Sequence, residues 1–429
     1  MNKERLKRIK LIYYPYKIIN KISGNVKWKY SEFISLKQLG SLSKKRKNSN
    51  TINIIFIVQY IPSWEKADYL YKYLEKKDKF ALKILCVPNN IEYPFDSDNE
   101  VYEYFLEKGY SVINACTENG WFDIGTIESD YIFTFRPYDH FMPNEYSARN
   151  LSKAGKLCNI IYGPPMTEEL QRVVYDRFFF NYVSIFFAES EEAKQFFEKR
   201  HQKGVKKGLQ RAIFCGMPIL EYINKKDFED EISAWHESGR PKLLWTPRWS
   251  TDKSIGGSHF FDYKDDLIEV AEKGYCNLII RPHPLMFSNF VKTGEMTKEE
   301  YITFCKMCKE KNVLIDLSEV YLRTFIDTDI LITDLSSIVQ EFFVLGKPIV
   351  YCPPSADVHQ TKTMKKIVSA CYIVNDSIEL NTVLMNLLRG DDILFDKRKK
   401  VFDELFGETI DCSCELITDF LIEDFGGKE

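Results

Sequence analysis

No stretch of about 18 consecutive apolar residues occurs anywhere in the 429-residue chain, so no membrane-spanning helix is expected. Met1 is followed by a basic segment, but by neither a continuous apolar run nor a small-residue cleavage site, which argues against secretion. Glycine (20) and proline (16) are too few for a collagen-like or low-complexity polymer. With 45% apolar and 28% charged residues the chain is also not of the disordered type. Eleven cysteines are scattered along it, and Cys86, Cys158, Cys215 and Cys276 sit inside apolar runs, where reduced cysteine behaves as a small hydrophobe. A disulfide framework is not expected at this length, and a reducing cytoplasm fits better. Cys305 and Cys308 (CxxC) and Cys412 and Cys414 (CxC) lack a second pair at zinc-like spacing; they read as helix-face residues, and no metal is expected.

What is present is unevenly distributed. The formal net charge is −3, yet residues 1–50 hold 14 Lys/Arg against 2 acids, and the remainder is acidic. In MNKERLKRIKLIYYPYKIINKI the basic residues interleave with Leu6, Ile9, Tyr13 and Tyr16 at helical spacing, and Pro15 is expected to kink or end that helix. VKWKY adds Val26, Trp28 and Tyr30 between lysines. Basic residues with interfacial aromatics suit an anionic bilayer surface, at about 1 kcal/mol per basic residue near the surface. A solvated arm is the other open reading of residues 1–50, and nucleic acid fits less well because the charge is confined to the arm.

From residue 51 the pattern changes. INIIFIVQ (52–59) is a continuous apolar run, as in a strand buried on both faces. Helical stretches then alternate with ALKILCV, SVINAC, DYIFTF, LCNIIYG, SIFFAES and RAIFCG, which indicates βαβ units and a parallel sheet. Residues 221–240 are polar and read as a linker. A second series follows with KLLWTP, NLIIRP, NVLID, DILITD and PIVYC. The expected fold is α/β: two doubly wound, Rossmann-like parallel-sheet domains facing a cleft. The first covers 51–220 and the second 241–390, with helices over 391–429. In such sheets ligands bind beyond the carboxyl ends of the strands.

Three strand ends of the second domain carry chemistry. DILITD runs through Asp334-Leu335-Ser336-Ser337 into a helix, where free amides, hydroxyls and the helix dipole favour a phosphate. Asp334 and Ser336 could equally serve only as helix caps. Glu341 shares the helix face of Ser337 and is placed to reach a ribose hydroxyl. NLIIRPHPLM presents Arg281 and His283 from a loop stiffened by Pro282 and Pro284. Arginine suits bidentate phosphate contact, and histidine donates to phosphate or carries a proton near neutral pH. WTPRWSTDKSIGG adds Arg248 and a loop made pliable by Gly256 and Gly257. Together these imply a diphosphate site for a nucleotide-activated donor. On the first domain, Arg136, Tyr138, Asp139 and His140 follow one strand, and Tyr162 and Gly163 follow the next. They would face the acceptor, with Asp139 or His140 as general base, although a polar loop turned by Asp139 explains the same residues.

RPHP and TDLSSIVQEFFVLGKPIVY, in this order, resemble the R-x-H-P and T-D-x-S-S…KP-I segments of the CDP-glycerol glycerophosphotransferase family, the enzymes of teichoic-acid and capsule assembly. FRPYDH, IYGPPM, AESEEAK and WTPRWS resemble a subgroup tied to surface-polysaccharide loci. The resemblance implies a GT-B-type fold, a CDP-linked donor in the second domain, no metal or other cofactor, and peripheral attachment to the cytoplasmic face of the membrane. By position, Arg281, His283, Ser336 and Ser337 would contact the donor phosphates, with His283 also catalytic. Two departures stand out. Tyr162 occupies the place of the catalytic histidine in an H-G-T-P-like loop, and Arg248 stands where relatives often show histidine.

The expected reaction is transfer of a polyol-phosphate unit from a CDP-activated donor to a lipid-linked glycopolymer. Two alternatives stay open: a glycosyltransferase using a nucleotide sugar, and a catalytically silent scaffold at the membrane.

Overall fold

The computed structural model describes residues 10–42, 50–89, 99–225, 233–235, 239–253, 257–318, 321–354 and 358–426. The expectations resting on Leu6, Ile9 and Gly256 lie outside the described residues. The first sheet contains β1 (Ile52–Val58), β2 (Phe80–Cys86), β3 (Val112–Asn114), β4 (Tyr131–Thr134), β5 (Lys156–Ile160), β6 (Ile185–Ala188) and β7 (Arg211–Phe214). They are parallel throughout, in the order β3-β2-β1-β4-β5-β6-β7. The second contains β8 (Lys242–Thr246), β9 (Asn277–Ile280), β10 (Leu314–Ile315), β11 (Ile330–Thr333), β12 (Ile349–Tyr351) and β13 (Tyr372–Ile373). It too is parallel, in the order β10-β9-β8-β11-β12-β13. Both sheets reverse direction of winding at their first strand, so each has a switch point, between β1 and β4 and between β8 and β11. This is the doubly wound α/β architecture read from the sequence.

Strands that are apolar on both faces are dry on both faces. In β1 only Asn53 is more than slightly exposed, and Phe56 stacks on Phe133 at 5.2 Å, which in turn stacks on Phe187 at 5.7 Å. In the second domain Trp245 lies parallel to Phe260 at 5.5 Å. Each such ring buries a large apolar area, and offset stacking adds about 1 kcal/mol per pair.

Five helices bear on the site: α1 (Lys10–Leu42), α2 (Glu65–Glu75), α3 (Pro218–Lys225), α4 (Ile338–Phe343) and α5 (Ser413–Gly426). Contrary to expectation, α1 runs unbroken through position 15. A proline costs one amide hydrogen bond and crowds one carbonyl, and here that cost falls near the outer end of a helix whose other end is anchored. Leu39 is buried, Gln38 Nε2 donates to Ser152 Oγ and to the Arg149 carbonyl (both 2.7 Å), and Asn181 Nδ2 donates to Ser31 Oγ. Trp28 turns inward, stacked on Phe178 at 5.8 Å beneath the Arg200 guanidinium.

The polar run after residue 220 begins inside a helix rather than as a free linker. Glu221 in α3 is buried because Lys225 Nζ (2.5 Å) and the Cys414 amide (2.8 Å) satisfy its carboxylate. Beyond the second domain, α5 returns to the first. Cys414, Ile417 and Leu421 are fully buried in the core that holds β1 and β4. Asp424 accepts from Tyr131 Oη at 2.6 Å and from Lys156 Nζ at 2.5 Å.

The last helix is therefore part of the first domain's core. Leu421→Ala is expected to lower stability by about 2–5 kcal/mol, read as a lower urea midpoint. An unchanged midpoint would mean that α5 does not dock there in solution.

Candidate active site

The second switch point is organised around one buried acid. Asp334, at the end of β11, is fully buried, and its carboxylate accepts from the Arg248 amide (2.8 Å), Ser258 Oγ (3.2 Å) and the His259 amide (3.4 Å). Burial raises its pKa, and these donors pull the other way. Asp334 was expected among the donor contacts. Its oxygens instead fasten the ends of β8 and β11 together, because a buried carboxylate needs every donor within reach.

Arg248 lies along the turn so formed, with Nη1 donating to the Leu335 carbonyl at 2.7 Å. His283 is held close by: its amide donates to the Pro247 carbonyl at 3.1 Å, and its Nδ1 accepts from the Leu285 amide at 3.2 Å. That bond leaves the proton of the neutral ring on Nε2, free to donate to a ligand oxygen. His283 is exposed to solvent on its outer side, yet packing on its inner side, and then the charge of Arg248, lower its pKa below the ordinary value and favour the neutral ring.

Ser336 and Ser337 precede α4. Ser337 makes no side-chain capping bond, and Ser336 Oγ stands 3.5 Å from the Ile338 amide. At six residues α4 adds little macrodipole, so the anion-binding capacity expected there rests on the two hydroxyls more than on the helix. Ser337 Oγ lies 3.5 Å from where a Cβ on Gly163 would be. The two domains meet at this point, where a Cβ at 163 would just reach van der Waals contact with Ser337.

Two donor-side expectations change. Arg281 is committed within its own domain, Nη1 to Asp316 Oδ2 (2.6 Å) and Nη2 to the Ser318 carbonyl (2.7 Å). Glu341, expected to face a ribose, has both oxygens engaged. Lys66 Nζ reaches Oε1 at 2.7 Å and Tyr321 Oη reaches Oε2 at 2.6 Å.

On the first domain, the Arg136 guanidinium lies over the rings of Tyr60 (5.0 Å), Phe141 (5.1 Å) and Tyr138 (5.9 Å). No carboxylate among the described residues pairs with it. Beside it is a small cavity walled by Gln59, Ser63, Thr134, Tyr138 and Phe141. The Tyr138 and Tyr162 rings meet edge to face at 6.4 Å, and burial, with Tyr138 beside it, drives the Tyr162 phenol further above neutrality. Tyr162 therefore keeps its proton and cannot stand in for a basic histidine.

Asp139, expected as a base, has Oδ1 bonded to the Ala148 amide at 2.8 Å, at the start of the helix Ala148–Ala154. It is the turn-forming residue of the simpler reading. His140 is exposed, its ring 4.0 Å from Phe141. Sequence reasoning passed over Glu189, which follows β6; burial pushes its carboxyl up to about 7, and Tyr175 Oη bonds one of its oxygens at 2.9 Å. Only its place at a strand end could have drawn attention to it. Lys66 gave no signal at all, since its partner Glu341 lies 275 positions away.

A family model described as CDP-Glycerol:Poly(glycerophosphate) glycerophosphotransferase matches residues 168–406, more than half of the chain. The chain belongs to this family. It is 29% identical over 157 residues to the teichoic acid poly(glycerol phosphate) polymerase of Bacillus spizizenii, covering 34% of this chain and 36% of that protein. The match thus spans about a third of the curated relative. Among solved structures, a variant of the wall teichoic acid polymerase TagF superposes with a TM-score of 0.58 at 12% identity, over 95% of this chain and 98% of that one. The UDP-GlcNAc 2-epimerase of Neisseria meningitidis gives 0.57 at 11% identity, over 86% and 100%. At these identities the structures establish the shared two-domain fold. The family segment contains the Arg248, His283 and Ser336–Ser337 cluster.

The free protein should show a His283 ring titrating below 6.5 by proton NMR. The sign follows from linkage: the unfolded chain takes up this proton first, so the contribution to stability falls as pH drops through 6.5. A midpoint at or above 6.5 would mean that packing and Arg248 together do not disfavour the charged ring.

Proposed function

We propose that the chain transfers a polyol-phosphate unit, glycerol phosphate in the first instance, from a CDP-activated donor to a hydroxyl of a lipid-linked glycopolymer. The observation that carries this reading is the convergence of Arg248, neutral His283 and two serine hydroxyls at the second switch point, directly opposite Gly163 of the other domain. In the reaction the acceptor oxygen bonds to the phosphorus bearing the polyol, the bond to the bridging oxygen breaks, and CMP leaves. Arg248, the Nε2 proton of His283 and the serine hydroxyls would bind the phosphoryl oxygens. Such preorganised charge supplies most of the catalysis in phosphoryl transfer. His140 would take the acceptor proton, and Arg136, with the cavity beside it, would hold an anionic part of the acceptor.

Arg248→Ala and Ser336→Ala are expected to weaken CDP-glycerol binding at least tenfold in calorimetry, and the intact protein should release CMP when an acceptor is added. Release of a nucleoside diphosphate from a nucleotide sugar would replace this reading with glycosyl transfer. Binding without turnover on any acceptor would favour a scaffold.

We also propose that the protein works on the cytoplasmic face of the membrane, bound to anionic lipid through α1. No described helix is long and apolar enough to cross a bilayer. Instead Val26, Tyr30 and Phe33 (61, 68 and 66% exposed) share one outward face with Lys37, flanked by Lys27 and Lys29. Apolar stripe and positive charge together suit a headgroup layer. Co-sedimentation with phosphatidylglycerol vesicles should fall several-fold in Lys27→Glu/Lys29→Glu and be weak with phosphatidylcholine. Equal sedimentation of both proteins would exclude α1 as the contact.

A further inference from the structure

Lys66 belongs to the first domain, yet its charge is spent inside the second. It sits in the first turn of α2, and its Nζ reaches Glu341 Oε1 at 2.7 Å, with the two side chains 9% and 4% exposed. Tyr321 closes the group: its hydroxyl donates to Glu341 Oε2 and accepts from Lys66 Nζ, both at 2.6 Å. Burial, and then the Glu341 charge, push the Tyr321 phenol well above its usual range, so it keeps the proton it donates. The Tyr321 ring lies 5.1 Å beneath the Arg281 guanidinium, which Asp316 pairs from the other side. A continuous line of contacts thus runs Lys66–Glu341–Tyr321–Arg281–Asp316. It joins a residue of the acceptor domain to both family segments of the donor domain.

A dry ion pair adds little net stability, since desolvation cancels much of the attraction, but it fixes one geometry strictly. Glu341 follows Ser337 by one turn in α4. Where Glu341 is held, the Ser336–Ser337 turn is held with it. Without Lys66, Glu341 is a buried carboxylate lacking its cation, with Arg281 on the far side of the Tyr321 ring.

We propose that Lys66 is a positioning residue through which the acceptor domain sets the donor site, acting by way of Glu341 and Tyr321. The proposal rests on the transferase reading above. Lys66→Met should weaken CDP-glycerol binding at least tenfold in calorimetry and raise the donor KM in parallel, with the acceptor KM changed less than threefold. Lys66→Arg, which keeps a cation, should recover most of that loss. Lys66→Met combined with Glu341→Gln should lose no more than the worse single variant, because both act through one contact. A merely structural Lys66 would lower the melting temperature and the active fraction and leave the affinity of the folded fraction intact. Should the Met variant not fold, Tyr321→Phe removes one hydroxyl and should still weaken donor binding several-fold. Unchanged donor affinity in folded Lys66→Met or, failing that, in Tyr321→Phe, no recovery with Arg, or additive losses in the double variant would each overturn the proposal. Failure of the unsubstituted protein to bind CDP-glycerol would instead strike the transferase reading.

Discussion

Asp334 carries a carboxylate at the end of β11 with no exposure to water, and such a group is tolerated only where donors converge on it. Three do, two of them backbone amides from 86 and 75 positions earlier. The consequence is geometric. The end of β8 is pinned to the end of β11, Arg248 is laid along the 334–337 turn, and the Pro247 carbonyl is placed to receive the His283 amide. The three conspicuous strand ends of the second domain thus become one surface, although the acid that joins them is itself out of reach of a ligand.

Partial desolvation and neighbouring groups bias the proton states on both sides of the cleft. The neutral His283 ring is favoured, which makes its Nε2 a donor suited to a phosphoryl oxygen. Tyr162 is kept protonated by the same desolvation, reinforced by Tyr138. A tyrosine in this setting can orient a hydroxyl by hydrogen bonding but cannot remove its proton. Tyr162 therefore cannot act as a general base at this strand end. With Asp139 tied to the Ala148 amide, exposed His140 is the imidazole left on that strand end.

Much of the fold was legible because parallel strands buried on both faces write themselves as unbroken apolar runs: INIIFIV and ILIT became β1 and β11. The strand-end rule then picked out the turns that the structure gathers around Asp334, without any contact being known. What could not be read was commitment. Arg281, Asp334 and Glu341 have the chemistry of ligand-binding residues, but each is engaged by partners from distant segments, and only tertiary structure reveals that. The arm misled in another way. Local rules assign Pro15 a break and Trp28 an interfacial place, whereas packing against Phe178 and Arg200 draws Trp28 inward and anchors α1 along its second half. The return of α5 to the first domain left no trace in local pattern, since a buried helix face looks the same whichever sheet covers it.

The segment from Gln59 to Tyr69 ties these observations together. Gln59 and Ser63 wall the cavity beside Arg136, Lys66 enters the second domain, and Tyr69 stacks at 5.0 Å on Tyr222 of α3, where the chain leaves the first domain. One short stretch of chain therefore touches the cavity beside Arg136, the helix α4 and the interdomain crossing within three turns. Helices are stiff over such lengths, because each residue is bonded to the next turn. A displacement at the cavity wall must then be shared with Lys66 or be absorbed by the single-turn helix Ile61–Ser63 between them. The Lys66–Glu341 contact thus lies on the same short stretch of chain as the wall of the Arg136 cavity, and any coupling between the two runs through Ile61–Ser63.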